Sequence, residues 1–504
     1  MDSGRAGVQH GISATEDMVH RAAGDNPAPK LASASFEIGR DVCYRMDNDT
    51  IAAIGTAMSQ SGIGIVRISG SDSIAIADRI FTAKKKGKKL KDVATHTLHY
   101  GHIVRAGQII DEVLVSVMRG PRSYTAEDVV EINCHGGILV MKKILDTVIE
   151  NGARPAEAGE FTKRAFLNGR MDLSQAEAVI DIINSQNDFA LKSAVKQLSG
   201  SVSEKIKRIR SQLLYEMAYI ESALDDPEHY PMEHYGEELA DKLKPLLREM
   251  EKLADMADDG RILKEGIKTV ILGKPNAGKS SLLNLMVGSE RAIVTDIEGT
   301  TRDTLEEHIL LDGISLNIVD TAGIRQTADV VEKIGVERAK LQAEEADLVL
   351  YVIDATKPLD DNDREIIQCI SGKKSIVLYN KCDLDTVLAE QEIRQMLPEQ
   401  SVVVFSAKDG IGFNVLKDRI KEMFYSEELK FNDEIYLTSA RHKAALDSAH
   451  RSLKLVMESI EAGMPEDFYT IDLMSAYDQL GYITGESVED DLVNEIFSKF
   501  CMGK

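Results

Sequence analysis

The chain has 504 residues, a prior of about three domains at roughly 150 residues each. Its 60 Lys and Arg stand against 83 Asp and Glu, a formal charge of −23, which excludes a protein whose whole surface grips nucleic acid but allows a local basic patch. Apolar residues at 43% exclude a disordered chain, and no run approaches the ~20 apolar residues that cross a bilayer. Five widely spaced cysteines (Cys43, Cys134, Cys369, Cys382 and Cys501), with no C-x-x-C, argue against a disulfide framework or a zinc site. They point to a reducing, cytoplasmic compartment.

Residues 1–45 are rich in Gly, Ala, Ser and charge and carry no sustained period. They read as a disordered extension or as a start assigned too early, and their acidic residues argue against a transit peptide. Strand signals begin at Thr50. Ile63–Ile68, Val113–Met118 and Val129–Ile132 read as strands and Ile138–Glu150 as a helix, so residues 46–166 form a mixed α+β domain. The run Lys84-Lys85-Lys86-Gly87-Lys88-Lys89 lies in a loop, either solvated or in contact with phosphate.

From Leu173 the period becomes helical. Leu173, Ala176, Val179, Ile180 and Ile183 share one face, as do Leu191, Ala194, Val195 and Leu198. Further helices run through Leu213, Leu214, Met217 and Ile220, and over about 237–256. From Ile267 short apolar strands alternate with helices, which predicts a parallel sheet covered on both faces. After about 426 the pattern is helical again. The simplest architecture is a helical domain (167–265 and 427–504) interrupted by an inserted α/β domain of the Ras-like P-loop type (266–426).

The inserted domain carries its chemistry at its strand ends. Gly273-Lys274-Pro275-Asn276-Ala277-Gly278-Lys279-Ser280 fits G-x-x-x-x-G-K-[ST], follows a strand and opens a helix that begins near Ser281. Its backbone N–H groups converge on phosphate, Lys279 neutralises the β/γ-phosphates, and the Ser280 hydroxyl ligates Mg²⁺. Thr300 and Thr301 lie in a loop that can bring a hydroxyl to the metal. Asp320-Thr321-Ala322-Gly323 ends a strand, where a carboxylate holds the Mg²⁺ shell and the Gly323 N–H meets the γ-phosphate. Asn380-Lys381-Cys382-Asp383 ends another. Asp383 accepts from guanine N1–H and N2–H₂, a pair that adenine lacks, and the Lys381 stem lies against the base. Ser406-Ala407-Lys408 backs the guanine O6. Four motifs in order predict GTP rather than ATP. Ile324 stands where many regulatory GTPases carry a water-orienting Gln, so Gln326 or Glu332 must supply that role. Arg302 and Arg325 read either as internal arginine fingers or as surface residues.

At the other end, Ser487-Val488-Glu489-Asp490 resembles a capping box, and Leu492, Ile496, Phe497 and Phe500 line one helical face. That helix carries Cys501-Met502-Gly503-Lys504 to a defined place, either as the plain end of a core helix or as a site holding a thiol and an ammonium.

The whole chain from Met46 onward resembles the MnmE (TrmE) family, the tRNA modification GTPases. The marks are Asp-Asn-Asp-Thr-Ile at 47–51, Ile-Val-Arg-Ile-Ser-Gly at 65–70 and Ser-Tyr-Thr-Ala-Glu-Asp at 123–128. To these add Gly-Glu-Phe-Thr-Lys-Arg-Ala-Phe-Leu-Asn at 159–168, Leu-Ser-Gln-Ala-Glu-Ala at 173–178, the four nucleotide motifs and the terminal Cys-Met-Gly-Lys. The resemblance implies a homodimer whose amino-terminal domain binds a formyl-tetrahydrofolate-type one-carbon donor through Arg67, Glu131, Arg170 and Lys504. It implies K⁺ held by Asn276, Thr295, Ile297 and Thr300, with Mg²⁺ on Ser280 and Thr301 and Thr295 among the nucleotide contacts. Glu332 matches the water-orienting acid and Cys501 the cysteine of the modification chemistry. The resemblance further implies an FAD-dependent MnmG-type partner and a reaction at C5 of the wobble uridine of certain tRNAs. The nucleotide motifs alone also fit a regulatory switch without tRNA chemistry.

Overall fold

The computed structural model describes residues 49–230, 232–289, 307–319, 341–424, 437–488, 490–500 and 503. The expectations for residues 1–45 lie outside that set.

The amino-terminal region is one seven-stranded sheet. Its strands are β1 (Ile51–Ile54), β2 (Gly64–Ser69), β3 (Phe81–Ala83), β4 (Thr97–Arg105), β5 (Gln108–Met118), β6 (Val129–Cys134) and β7 (Arg154–Pro155). They lie in the order β3-β4-β5-β6-β2-β1-β7 and pair antiparallel, apart from the parallel β1–β7 contact. Helices α1 (Ser73–Ile80) and α2 (Ile138–Glu150) belong to this region, and Ile76, Met141 and Ile144 share a core with Val66, Ile68, Val115 and Ile132 of the strands. Alternation along β2 and β6 puts Val66 and Ile68 in that core and turns Arg67 and Glu131 to the opposite face. A short helix, α3 (Glu160–Leu167), follows.

The helical region is built from two separated stretches of chain. The first comprises α4 (Leu173–Asn184), α5 (Asp188–Leu198), α6 (Ser201–Asp225) and α7 (Tyr235–Glu265). Its apolar faces close only against the second stretch. Leu213, Met217, Leu239, Leu243 and Met250 pack with Leu446, Leu453, Leu473 and Leu480, which lie beyond the inserted domain. The helix expected over 237–256 continues to Glu265, through Pro245. Its last turns carry charges along which the apolar period fades, so no stripe marks them, yet Arg261 there pairs with Asp347 at 2.7 Å. Two expected faces are only partly inward. Ala176 is buried whereas Ile183 is exposed, and Ala194 is buried whereas Leu191 and Val195 are exposed.

The inserted region has strands β8 (Ile267–Leu272), β9 (Glu307–Leu311), β10 (Ile314–Ile318), β11 (Leu348–Asp354), β12 (Ser375–Asn380) and β13 (Ser401–Val404). Their order is β13-β12-β11-β8-β10-β9. Its helices are α8 (Lys279–Ser289), α9 (Asp361–Ile370), α10 (Glu390–Met396) and α11 (Phe413–Phe424). Two apolar clusters cover the two faces of this sheet. The parallel expectation holds for five strands. The sixth, β9, runs antiparallel to β10, because a two-residue Asp312-Gly313 turn joins them and so short a link cannot make a parallel crossover. The fold is therefore an α+β domain, a helical domain and a Ras-like α/β P-loop domain inserted into the latter.

After the insertion come α12 (Ala440–Glu461), α13 (Asp467–Thr484) and α14 (Asp490–Ser498). Arg441 and His442 at the start of α12 both pair with Glu177 of α4, tying the two stretches of the helical region together. Val493, Phe497 and Phe500 are buried against Ala165, Leu173 and Ala176, so the last helix docks beside α3 and α4.

Candidate functional site

The phosphate loop leaves β8 and turns sharply into α8. Asn276 takes a left-handed backbone (φ 63), and Gly278 has φ 109. A Cβ on Gly278 would lie 2.1 Å from Nδ2 of Asn380, so this close approach requires glycine. The approach serves a staple. Asn380 Nδ2 donates to the Ala277 carbonyl at 2.6 Å, and its Oδ1 accepts from Ala407 N–H at 3.0 Å. One buried amide thereby holds three loops in register, at the ends of β8, β12 and β13. Sequence reading placed Asn380 in the guanine motif without a role of its own and missed this cross-linking.

Lys279 begins α8. Its ammonium donates to the Gly273 carbonyl at 2.6 Å and the Lys274 carbonyl at 2.8 Å. No carboxylate among the described residues pairs with it, and burial pushes its pKa below the ordinary lysine range. A partly buried cation at a helix N-terminus, with only carbonyls and no described carboxylate against it, is suited to an anion. Ser280 and Ser281 follow in the first turn of α8.

The base-reading end is equally set. Ser406 is buried, and its hydroxyl donates to Asp383 Oδ1 at 2.7 Å, which orients an exposed carboxylate and leaves its remaining lone pairs for a ligand. Lys381 is left-handed (φ 66), and its ammonium meets Asp354 Oδ2 at 2.6 Å, which stretches its stem across the end of β11. Burial opposes ionisation of Asp354, but hydrogen bonds from Lys381 and Thr356 hold its carboxyl below the usual range. Lys408 is exposed beside them. Thr295, Ile297, Thr300, Thr301, Asp320, Thr321, Ala322, Gly323, Ile324, Gln326 and Glu332 lie outside the described residues, as do Arg302 and Arg325.

A second constellation sits on the amino-terminal sheet. Arg67 on β2 is the cross-strand neighbour of Glu131 on β6, and its Nε donates to Oε1 at 2.8 Å. The Arg67 guanidinium lies 5.4 Å from the centre of the Tyr124 ring and 5.5 Å from that of Phe161, and the Arg170 guanidinium lies 4.9 Å from the Tyr124 ring. Two of the residues assigned to the one-carbon donor, Arg67 and Arg170, thus converge on one aromatic ring, and a third, Glu131, holds Arg67. Sequence reading missed Tyr124 and Phe161 as members. Tyr124 lay inside a quoted motif, but nothing in its spacing aims a ring at two arginines.

The chain terminus reaches the same place. Arg67 Nη1 donates to the Gly503 carbonyl at 3.1 Å. Gly503 is buried with φ 93, and a Cβ there would lie 2.3 Å from the Ile54 carbonyl oxygen. Cys501 and Lys504, on either side of it, lie outside the described residues. Beneath this surface, Arg164 pairs with Asp49 at 2.6 Å, Glu160 at 3.0 Å and Glu127 at 3.2 Å, and Arg154 adds a second contact to Glu160 at 2.6 Å. Burial opposes the charge on Glu160, yet the two guanidiniums hold its carboxyl below the ordinary range.

Cys134, Cys369 and Cys382 are free thiols. Among the described residues no helix is long and apolar enough to cross a membrane.

Comparison with known proteins agrees with this architecture. Residues 50–170 match the family described as GTP-binding protein TrmE N-terminus, and residues 173–501 match the MnmE helical domain. The chain is 56% identical over 459 residues to the tRNA modification GTPase MnmE of Lachnoclostridium phytofermentans, covering 91% of this chain and 100% of that one. It is 50% identical over 458 residues to the protein of the same name from Acetivibrio thermocellus, covering 90% and 99%. Among solved structures, the G domain of the T. maritima FeoB iron transporter aligns with 31% of this chain and 97% of its own length, at 25% identity and a TM-score of 0.24. The chain belongs to the MnmE family of tRNA modification GTPases.

Proposed function

We propose that this member of the tRNA modification GTPase family binds and hydrolyses GTP and couples that cycle to building an aminomethyl or carboxymethylaminomethyl group on C5 of the wobble uridine of certain tRNAs. An FAD-dependent MnmG-type protein is its partner, and the cytoplasm its compartment. The Lys279 ammonium, which meets no carboxylate among the described residues, supports phosphate binding, and the Ser406-held carboxylate of Asp383 supports choice of guanine. Asn276, Ala277, Gly278, Ser281, Lys381, Ala407 and Lys408 complete the described wall of the nucleotide site. Ser280 offers the hard oxygen donor that Mg²⁺ prefers, with Thr301 as its companion. Mg²⁺ bound there neutralises phosphate charge. K⁺ takes Asn276, Thr295, Ile297 and Thr300, and Glu332 orients the attacking water.

A formyl-tetrahydrofolate-type donor binds at the Tyr124 platform through Arg67, Glu131 and Arg170, with Lys504 as a further contact and Cys501 as the cysteine of the modification chemistry. The homodimer reading is supported by an exposed apolar stripe on the amino-terminal sheet. Leu98 and Tyr100 of β4 and Leu114 of β5 share one face, and Tyr100 and Leu114 are cross-strand neighbours.

The observation that carries the reading is the seat of Gly503 on Arg67. A pure switch has no use for a terminus locked onto a second, remote pocket. The test is a cell carrying Cys501→Ser, assayed by mass spectrometry of tRNA nucleosides, with the purified variant assayed for GTP hydrolysis in KCl and in NaCl. Loss of the modified uridine with K⁺-stimulated hydrolysis retained is the expected result. Normal uridine modification, or no heat on titrating the protein with 5-formyltetrahydrofolate, returns the chain to the switch reading.

A further inference from the structure

We propose that Lys274 is a positioning residue for GTP binding, a strut anchored on buried Asp363 that sets the carbonyl on which Lys279 rests; the proposal rests on the GTPase reading above. Lys274 is the second residue of the phosphate loop. Its ammonium meets Asp360 Oδ2 at 2.6 Å and also pairs with Asp363 Oδ2. Both acids belong to the start of α9, where Asp360 caps the helix and the two residues exchange backbone-to-carboxylate bonds at 3.1 Å.

The anchor is rigid. Asp363 is 5% exposed, and its other oxygen accepts the hydroxyl of Tyr351 at 2.8 Å. Tyr351 is itself fully buried on β11, at the centre of the sheet. A carboxylate in such a place is costly without a cation beside it, and Lys274 is the cation that reaches it. An exposed ion pair of the same length is worth little, because solvent screens it and both side chains give up freedom. The buried partner makes the difference here.

The other end of the strut is the backbone of Lys274. Its carbonyl accepts the Lys279 ammonium at 2.8 Å and the Ala277 N–H at 3.2 Å. Tyr351, Asp363, Lys274 and Lys279 therefore form one chain of contacts from the sheet core to the phosphate-binding ammonium. Shifts of about 1 Å at such a group are enough to cost a large factor in binding and rate. The loop pattern leaves its second position open to any residue, so sequence alone assigns Lys274 no chemistry.

The test uses the full chain in six forms: wild type, Lys274→Met, Lys274→Arg, Tyr351→Phe, Asp363→Asn, and Asp363→Asn combined with Lys274→Met. Affinity is read by titrating a fluorescent N-methylanthraniloyl-GDP, and KM and kcat by steady-state GTP hydrolysis. Lys274→Met is expected to weaken nucleotide binding about tenfold and to raise KM more than it lowers kcat. Lys274→Arg restores affinity to within about threefold. Tyr351→Phe, which removes one hydroxyl and no charge, gives a two- to threefold loss. The double variant loses little beyond either single change, since both cut the same strut. Wild-type affinity in Lys274→Met, failure of Lys274→Arg to rescue, or losses that multiply in the double variant would overturn the proposal. A wild-type protein that hydrolyses no GTP would instead sink the reading beneath it.

Discussion

At the phosphate loop the groups that meet a ligand are backbone N–H groups and one ammonium, held by a glycine contact and a single buried amide, Asn380. Around Arg67 the proposed ligand groups are side chains and a ring, drawn from β2, β6, the segment after β5, α3 and the chain terminus, in a domain that also holds the Arg164 ion pairs. The phosphate-facing part of the first site lies within eight residues, stapled to the ends of β12 and β13 by one neutral amide and braced by the single Lys274–Asp363 pair. The second is assembled from residues hundreds of positions apart and depends on ionic order. Substitutions should therefore act differently: at the nucleotide site they change affinity on an intact frame, and at the Tyr124 pocket they threaten the frame itself.

The largest effect is expected where that frame is most charged. Arg164→Met leaves Asp49, Glu127 and Glu160 crowded without their shared guanidinium, and breaking a buried ionic cluster this way costs about 3–5 kcal/mol. Urea denaturation of the full chain should show the loss, and the tRNA modification should fail with it. A variant of unchanged midpoint would mean that the charged layer is no scaffold.

Asp383→Asn is the counterpart in the other region. It removes the acceptor pair for guanine and keeps the frame, so GTP affinity should fall at least 100-fold, about 2.7 kcal/mol, with the unfolding midpoint little changed. A nucleotide titration beside a thermal melt separates the two quantities. A large fall in melting temperature would erase the contrast between the regions.

Gly503→Ala is the subtlest. Its methyl meets the Ile54 carbonyl in a left-handed backbone, so the terminus must leave its seat at a cost of about 1–3 kcal/mol. Hydrogen exchange at β1 should rise and affinity for 5-formyltetrahydrofolate should drop, while GTP hydrolysis holds. Unchanged exchange would show that the seat tolerates a side chain.

The same contrast explains what was legible in the sequence. The phosphate loop could be read because its geometry follows from residue types within eight positions, and the strand before it and helix after it from apolar runs. Arg67, Glu131 and Arg170 were reached only through resemblance, since no spacing rule joins residues on β2, on β6 and beyond α3. Tyr124, Phe161 and the Arg164 layer escaped for the same reason. Asn380 was found only as part of a motif, which records the residue and not the staple it makes. The end of α7 escaped because charge replaces the apolar stripe there, and β9 because a lone hairpin strand at a sheet edge carries a weak period.

The insertion of one domain into another also sets an order of assembly. Helices α6 and α7 leave the ribosome with apolar faces whose partners, Leu446, Leu453, Leu473 and Leu480, are translated well over 150 residues later. At 5–20 residues per second that is a wait of about 10–40 s. Throughout it the half-built bundle is bare to water and to other nascent chains, while the nucleotide domain, whose strands are contiguous, is free to close first. Newly made chains should therefore engage holdase chaperones through this first helical stretch, and a slow codon placed after residue 265 should raise the fraction that aggregates.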